Sequence, residues 1–143
     1  MPEHLLLAFD FGLRRIGVAV GNTLTRQARP LCIIGAQTRT QRFDQIQDLL
    51  RQWQPDRVIV GLPLTLEGGE QPATAQARRF ANQLRGRFGI AVELVDERHS
   101  SMEAQQILGN HDADDAMAAA VILQRYLDGT TPVPDGGHAG AWP

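Results

Sequence analysis

In LLLAFDFGLRRIGVAVG, residues 5–21, an apolar run ends on a carboxylate, Asp10, and a second apolar run opens at Ile16. Leu5 to Phe9 read as a buried strand, Gly12 marks a turn, and Ile16 to Val20 read as a second strand. The pair predicts a hairpin. A carboxylate at the end of a core strand is costly unless it meets an opposite charge, a metal or a proton. Arg14 and Arg15 follow within one short turn. The rest of the chain has to supply the reason for that acid.

Working outward, residues 30–35 form a third strand candidate, joined to the hairpin by a short connection. Phe43, Ile46, Leu49, Leu50 and Trp53 then recur at helical spacing until Pro55 stops the run. RVIVGLP (57–63) reads as a buried strand. The helix after it carries Ala77, Phe80, Ala81, Leu84 and Phe88 on one face, with Arg78, Arg79 and Arg85 expected outward. Residues 90–97 predict a further strand. A short helix over 100–110 follows, with capping-box spacing from Ser100 to Glu103. DDAMAAAVILQRYLDG is the last helix, ended by Gly129. Three antiparallel strands leading into strand–helix alternation predict an α/β fold, a mixed sheet with helices on its faces. One domain is expected over 1–129. Residues 130–143 lack periodicity and are expected to be a mobile tail.

The 143 residues suffice for one core, and the 43% hydrophobic fraction is that of an ordinary globule. No apolar run has membrane-spanning length, and the N-terminus has no basic segment or cleavage site, so no membrane partner and a cytoplasmic address are expected. Cys32 is the single cysteine, which rules out an intrachain disulfide and a cysteine-built zinc site. It is expected in the core. The formal net charge of −2 hides a separation of sign. Six arginines and no acid lie between Phe11 and Phe43, and four more without an acid between Gln71 and Val92. Acids gather in VDERHSSMEA and HDADDA. Such a pattern suits a protein that holds phosphates beside an acidic cluster.

Three acids fall at element ends: Asp10 on the first strand, Glu97 beside Asp96 on the last, and Asp115 in the first turn of the final helix. Asp115 shares a helical face with Ala118, Ala119 and Ile122, and that face looks inward. Brought together, Asp10, Glu97 and Asp115 make an all-oxygen site suited to Mg²⁺ or Mn²⁺. Two such ions can serve an in-line phosphodiester displacement. The competing reading of Asp115, a helix N-terminal acid favoured by the macrodipole, is the weaker one there, and it is the reading adopted for Asp112 and Asp114 as caps. For Asp96 a loop or capping role competes with support of the site.

DFGLRRIGVAVG, VIVGLPL, VDERHSS and DDAMAAAVILQRYL resemble, in that order, the YqgF-type proteins, also called RuvX, from about residue 5 to residue 129. The resemblance implies an RNase H-like fold, with a mixed five-stranded sheet and helices on both faces. It also implies a metal-dependent nuclease with catalytic, metal-holding acids at Asp10, Glu97 and Asp115, acting in 5′-end maturation of precursor 16S rRNA. Arg15 matches the family's motif arginine. With Arg14 and Arg98 it is expected to contact nucleic acid, with precursor rRNA favoured and DNA possible. The chain departs from the family in ILGNHDADDAM, which is short and acidic where members carry basic residues. It departs again at His99, read as a solvated loop histidine. Alternatives are a Holliday-junction-type DNA resolvase and a non-catalytic nucleic-acid-binding module. An ATP-binding sugar-kinase reading of the D-x-G turn would need a second domain. A monomer and a homodimer are both compatible with the sequence.

Overall fold

The computed structural model describes residues 4–35, 38–64, 67–96 and 114–129. The expected helix over 100–110 and the tail from 130 lie outside them. Five strands form one sheet: β1 (Leu5–Asp10), β2 (Arg15–Asn22), β3 (Gln27–Gly35), β4 (Arg57–Leu62) and β5 (Val92–Asp96). Their spatial order is β3-β2-β1-β4-β5. β1 pairs antiparallel with β2, and β2 with β3, whereas β4 and β5 run parallel to β1. The expected mixed sheet is therefore present. β3 begins at Gln27 rather than at residue 30, and Pro30 lies within it. Pro30 is tolerated because β3 is an edge strand and a register irregularity occurs opposite it, between Val18 and Ala19.

Helices α1 (Arg39–Trp53) and α2 (Pro72–Phe88) cover one face of the sheet, and α3 (Asp114–Leu127) the other. α1 starts at a reciprocal capping box. Thr38 Oγ1 accepts from the Gln41 backbone N–H at 3.1 Å, and Gln41 Oε1 accepts from the Thr38 N–H at 3.3 Å. It ends at Gln54, which is left-handed and precedes Pro55. α2 starts with proline at its first position, and the buried Thr74 hydroxyl donates to the Pro63 carbonyl, tying the helix to the loop after β4.

The two-residue alternation of the strands splits the core. Leu7, Phe9, Val58, Val60, Val92 and Leu94 pack under α1 and α2 around Phe80. Leu6, Ala8, Ala19, Ile59 and Val95 pack under α3. Cys32 is half-buried against the α1/α2 core, and burial pushes its thiol pKa up. Two of the three outward-expected arginines on α2 are engaged instead. Arg78 forms an ion pair with Glu70 at 3.0 Å, and Arg85 donates to the Val92 carbonyl at 2.8 Å. Only Arg79 of the three is exposed. A long arginine can curl back along its helix to a carbonyl that periodicity does not reveal. Among the described residues no helix is long and apolar enough to cross a membrane.

Candidate active site

Leu6, Ala8 and Asp10 alternate onto the α3 side of the sheet, so the strand that builds the core under α3 also delivers its terminal carboxylate to that side. Asp10 is half-buried and stands opposite Gly17 in the β1–β2 register. Gly17 is where α3 arrives. A Cβ on Gly17 would stand 1.8 Å from the Asp115 carbonyl oxygen and 2.9 Å from the Ala116 nitrogen. The first turn of α3 therefore lies directly on the backbone that pairs with Asp10. Further along β2, a Cβ on Gly21 would come within 2.8 Å of Leu123 Cδ2, and Ala19 between them is fully buried. Gly17, Ala19 and Gly21 form a small-residue track for the helix. Sequence reasoning placed Ala118 and Ala119 on the inward face of the last helix and missed this track on the strand beneath it. Its signal was present as small residues at every second position of GVAVG.

Side chains of α3 pin it on both flanks. Gln124 Oε1 accepts from the Ala28 N–H at 3.0 Å, and its Nε2 donates to the Arg26 carbonyl at 2.9 Å. Arg125 donates to the Asp96 carbonyl at 3.2 Å. At the far end of the sheet, Arg57 donates to the Tyr126 hydroxyl at 2.8 Å and pairs with Glu93 at 2.7 Å. Burial lowers the Arg57 pKa, but the hydroxyl bond and the Glu93 charge outweigh it and the net shift is upward. Tyr126 is thus a packing residue with a polar anchor.

Asp115 meets a partner that the sequence left open: Arg15 Nε lies 3.1 Å from its Oδ2. The side chains are 61% and 34% exposed respectively, so the pair sits at the rim of the site. Nε makes this contact, and the guanidinium fork carries two further terminal nitrogens able to donate to another acceptor. Arg14 is exposed beside it. Asp96 falls in the alternation of Val92 and Leu94, on the α1/α2 side, away from Asp10. Glu97 and Arg98 lie outside the described residues, as does His99; Asp114 opens α3. Among the described residues no three potential ligands form a metal-holding group. Asp10 and Asp115 still provide hard oxygen donors on one side of the sheet, a donor type that fits a divalent cation.

The family model described as RuvX, Holliday junction resolvase, matches residues 4–129. A protein of Bordetella parapertussis named "Putative pre-16S rRNA nuclease" is 73% identical over 134 residues, covering 94% of this chain and all of that one. A protein of the same name from Paraburkholderia phytofirmans is 53% identical over 131 residues, covering 89% and 90%. Among solved structures, Thermus thermophilus RuvC in complex with a Holliday junction aligns with a TM-score of 0.52 at 17% identity, over 91% of this chain and 99% of that one. The fowlpox virus resolvase bound to junction DNA aligns at 0.55 and 12% identity, over 87% and 97%. At such identities these two establish the fold alone, the RNase H-like sheet of the resolvases. The family match over nearly the whole chain and the high identity to its members leave one assignment: the chain belongs to the RuvX family.

Proposed function

We propose that this protein is a divalent-metal-dependent nuclease that hydrolyses phosphodiester bonds in 5′-end maturation of precursor 16S rRNA, acting in the cytoplasm. Asp10, Glu97 and Asp115 are its catalytic, metal-holding carboxylates, with Mg²⁺ or Mn²⁺ as the cation. Arg14, Arg15 and Arg98 contact the nucleic acid. The observation that carries this reading is the seating of the Asp115 backbone on Gly17, opposite Asp10. A fold gains nothing by gathering carboxylates where arginines bring phosphates, unless a cation joins them. Glu97 lies two residues beyond Val95, which packs under α3. The relatives' shared name supports the RNA substrate. A bound cation would stabilise charge building on the phosphate. The chain's own groups hold that cation, orient the backbone through arginine forks, and fix Asp115 through Arg15.

The test is side-by-side cleavage of a precursor 16S rRNA fragment, a four-way DNA junction and a linear duplex, with and without Mn²⁺. Mn²⁺-dependent cutting of the precursor above the other two is the expected result. Preference for the junction would reassign the protein as a resolvase, and binding without cutting would make it a recruiter.

Arg15 provides a second test. Its pair with Asp115 is too exposed to contribute more than about 1 kcal/mol to stability, so Arg15→Ala should melt close to the parent. Binding to RNA should weaken, and the slope of log affinity against log salt should shrink by about 0.7, one phosphate contact on a single strand. An unchanged slope together with a large fall in melting temperature would make Arg15 a structural residue only.

A further inference from the structure

We propose that Leu13 is a wedge, inserted by the β1–β2 turn into the base stack beside the phosphate under attack. The inference rests on the nuclease reading and deepens it, assigning base-paired RNA next to the cut as what the turn engages.

Three large apolar side chains are exposed among the described residues: Leu13 at 65%, Leu24 at 68% and Ile33 at 36%. A lone exposed leucine is ordinary. Leu13 differs in how it is held and in what flanks it. It follows Asp10 by three residues and precedes Arg15 by two. The turn carrying it has little freedom. A Cβ on Gly12 would stand 2.5 Å from the Arg15 carbonyl, so the backbone doubles back in contact with itself. Phe11 packs on Phe80 with ring centroids 4.8 Å apart, and the Arg42 guanidinium sits 5.2 Å from the Phe11 centroid. Arg42 Nη2 also donates to the Leu13 carbonyl at 2.6 Å. α1 thereby ties back the main chain of Leu13 while its side chain faces solvent.

A fixed apolar tip costs little ordering entropy when it is buried by a partner. The partner must offer an apolar surface bordered by negative charge, because Arg14 and Arg15 flank the tip and no acid occurs from Phe11 to Phe43. Stacked base pairs between phosphate strands have that character. Apolar side chains inserted at a base step unstack it, and arginines on adjacent phosphates hold the opened form. Arg42 is then a positioning residue, acting through the backbone of the turn.

Leu24 is a built-in control, since it is equally exposed but lies in the turn at the other end of β2. The experiment uses an RNA stem–loop with a 5′ single-stranded extension and 2-aminopurine at the terminal base pair. Asp10→Asn protein is used so that binding is read without cleavage. Fluorescence should rise severalfold on binding. Adding Leu13→Ala should remove most of that rise, Leu13→Met should restore it, and Leu24→Ala should leave it intact. Arg42→Gln should remove part of it with Leu13 present. In the Asp10-intact protein, Leu13→Ala should lower the ratio of cutting beside a stem to cutting in unpaired RNA by about tenfold, as loss of a buried leucine predicts. An equal rise with Leu13→Ala, or an equal loss with Leu24→Ala, overturns the wedge and leaves the nuclease reading standing. A parent protein that neither binds nor cuts RNA overturns both.

Discussion

Asp10→Asn should lose metal-dependent cleavage by on the order of a thousandfold, about 4 kcal/mol in the barrier, while retaining the fold. The asparagine is nearly the same size, so the β1–β2 register around Gly17 and the Leu6–Ala8 packing under α3 stay in place. What goes is one negative charge from the site facing α3, and with it affinity for a divalent cation. Three measurements separate the outcomes: cleavage rate, Mn²⁺ affinity by calorimetry, and melting temperature. Rate and affinity should fall together, with the melting temperature unchanged or raised by relief of repulsion among the acids. A variant that cuts as fast as the parent would make Asp10 structural and end the nuclease assignment of this site.

Gly17→Ala should be severely damaging for the addition of a single methyl group. Its Cβ would stand 1.8 Å from the Asp115 carbonyl oxygen, and neither atom is on a side chain that could turn away. α3 would have to lift from β2, opening the packing of Ala119, Ile122 and Leu123. A cost of about 3 kcal/mol is expected, equivalent to a fall of roughly 10 °C in a domain of this size. Cleavage should fall further than stability explains, because the displaced turn carries Asp115. Gly86→Ala is the matched control. Its Cβ meets nothing within 4 Å, and as a helix-interior glycine it should gain up to about 1 kcal/mol. A Gly17→Ala protein with parental melting and cleavage would show that the contact between α3 and β2 is not what assembles the site.

Much of this protein was determined by the sequence alone, because the forces involved act over a few residues. Short apolar runs bounded by turn and charged residues placed β1, β4 and β5 to within two residues of their observed ends, and helical spacing placed α1, α2 and α3. Pro55 and Gly129 stopped their helices as backbone chemistry requires. Asp10 was legible as an anomaly, a charge where a strand leaves the core, and the alanines beside Asp115 marked the inward face of α3. What only the tertiary structure decided depends on groups distant in the chain. Gly17 reads as a mere strand glycine until α3 is laid on it. The Arg15–Asp115 pair joins residues on two elements that local pattern cannot relate. Arg42, Arg85, Gln124 and Arg125 all bond to main-chain groups, and every residue but proline offers the same carbonyl and N–H, so no residue type announces the partner. Periodicity reports which side of an element meets the core. Where a long polar side chain then goes is settled by which backbone groups the packed sheet and helices leave within its reach.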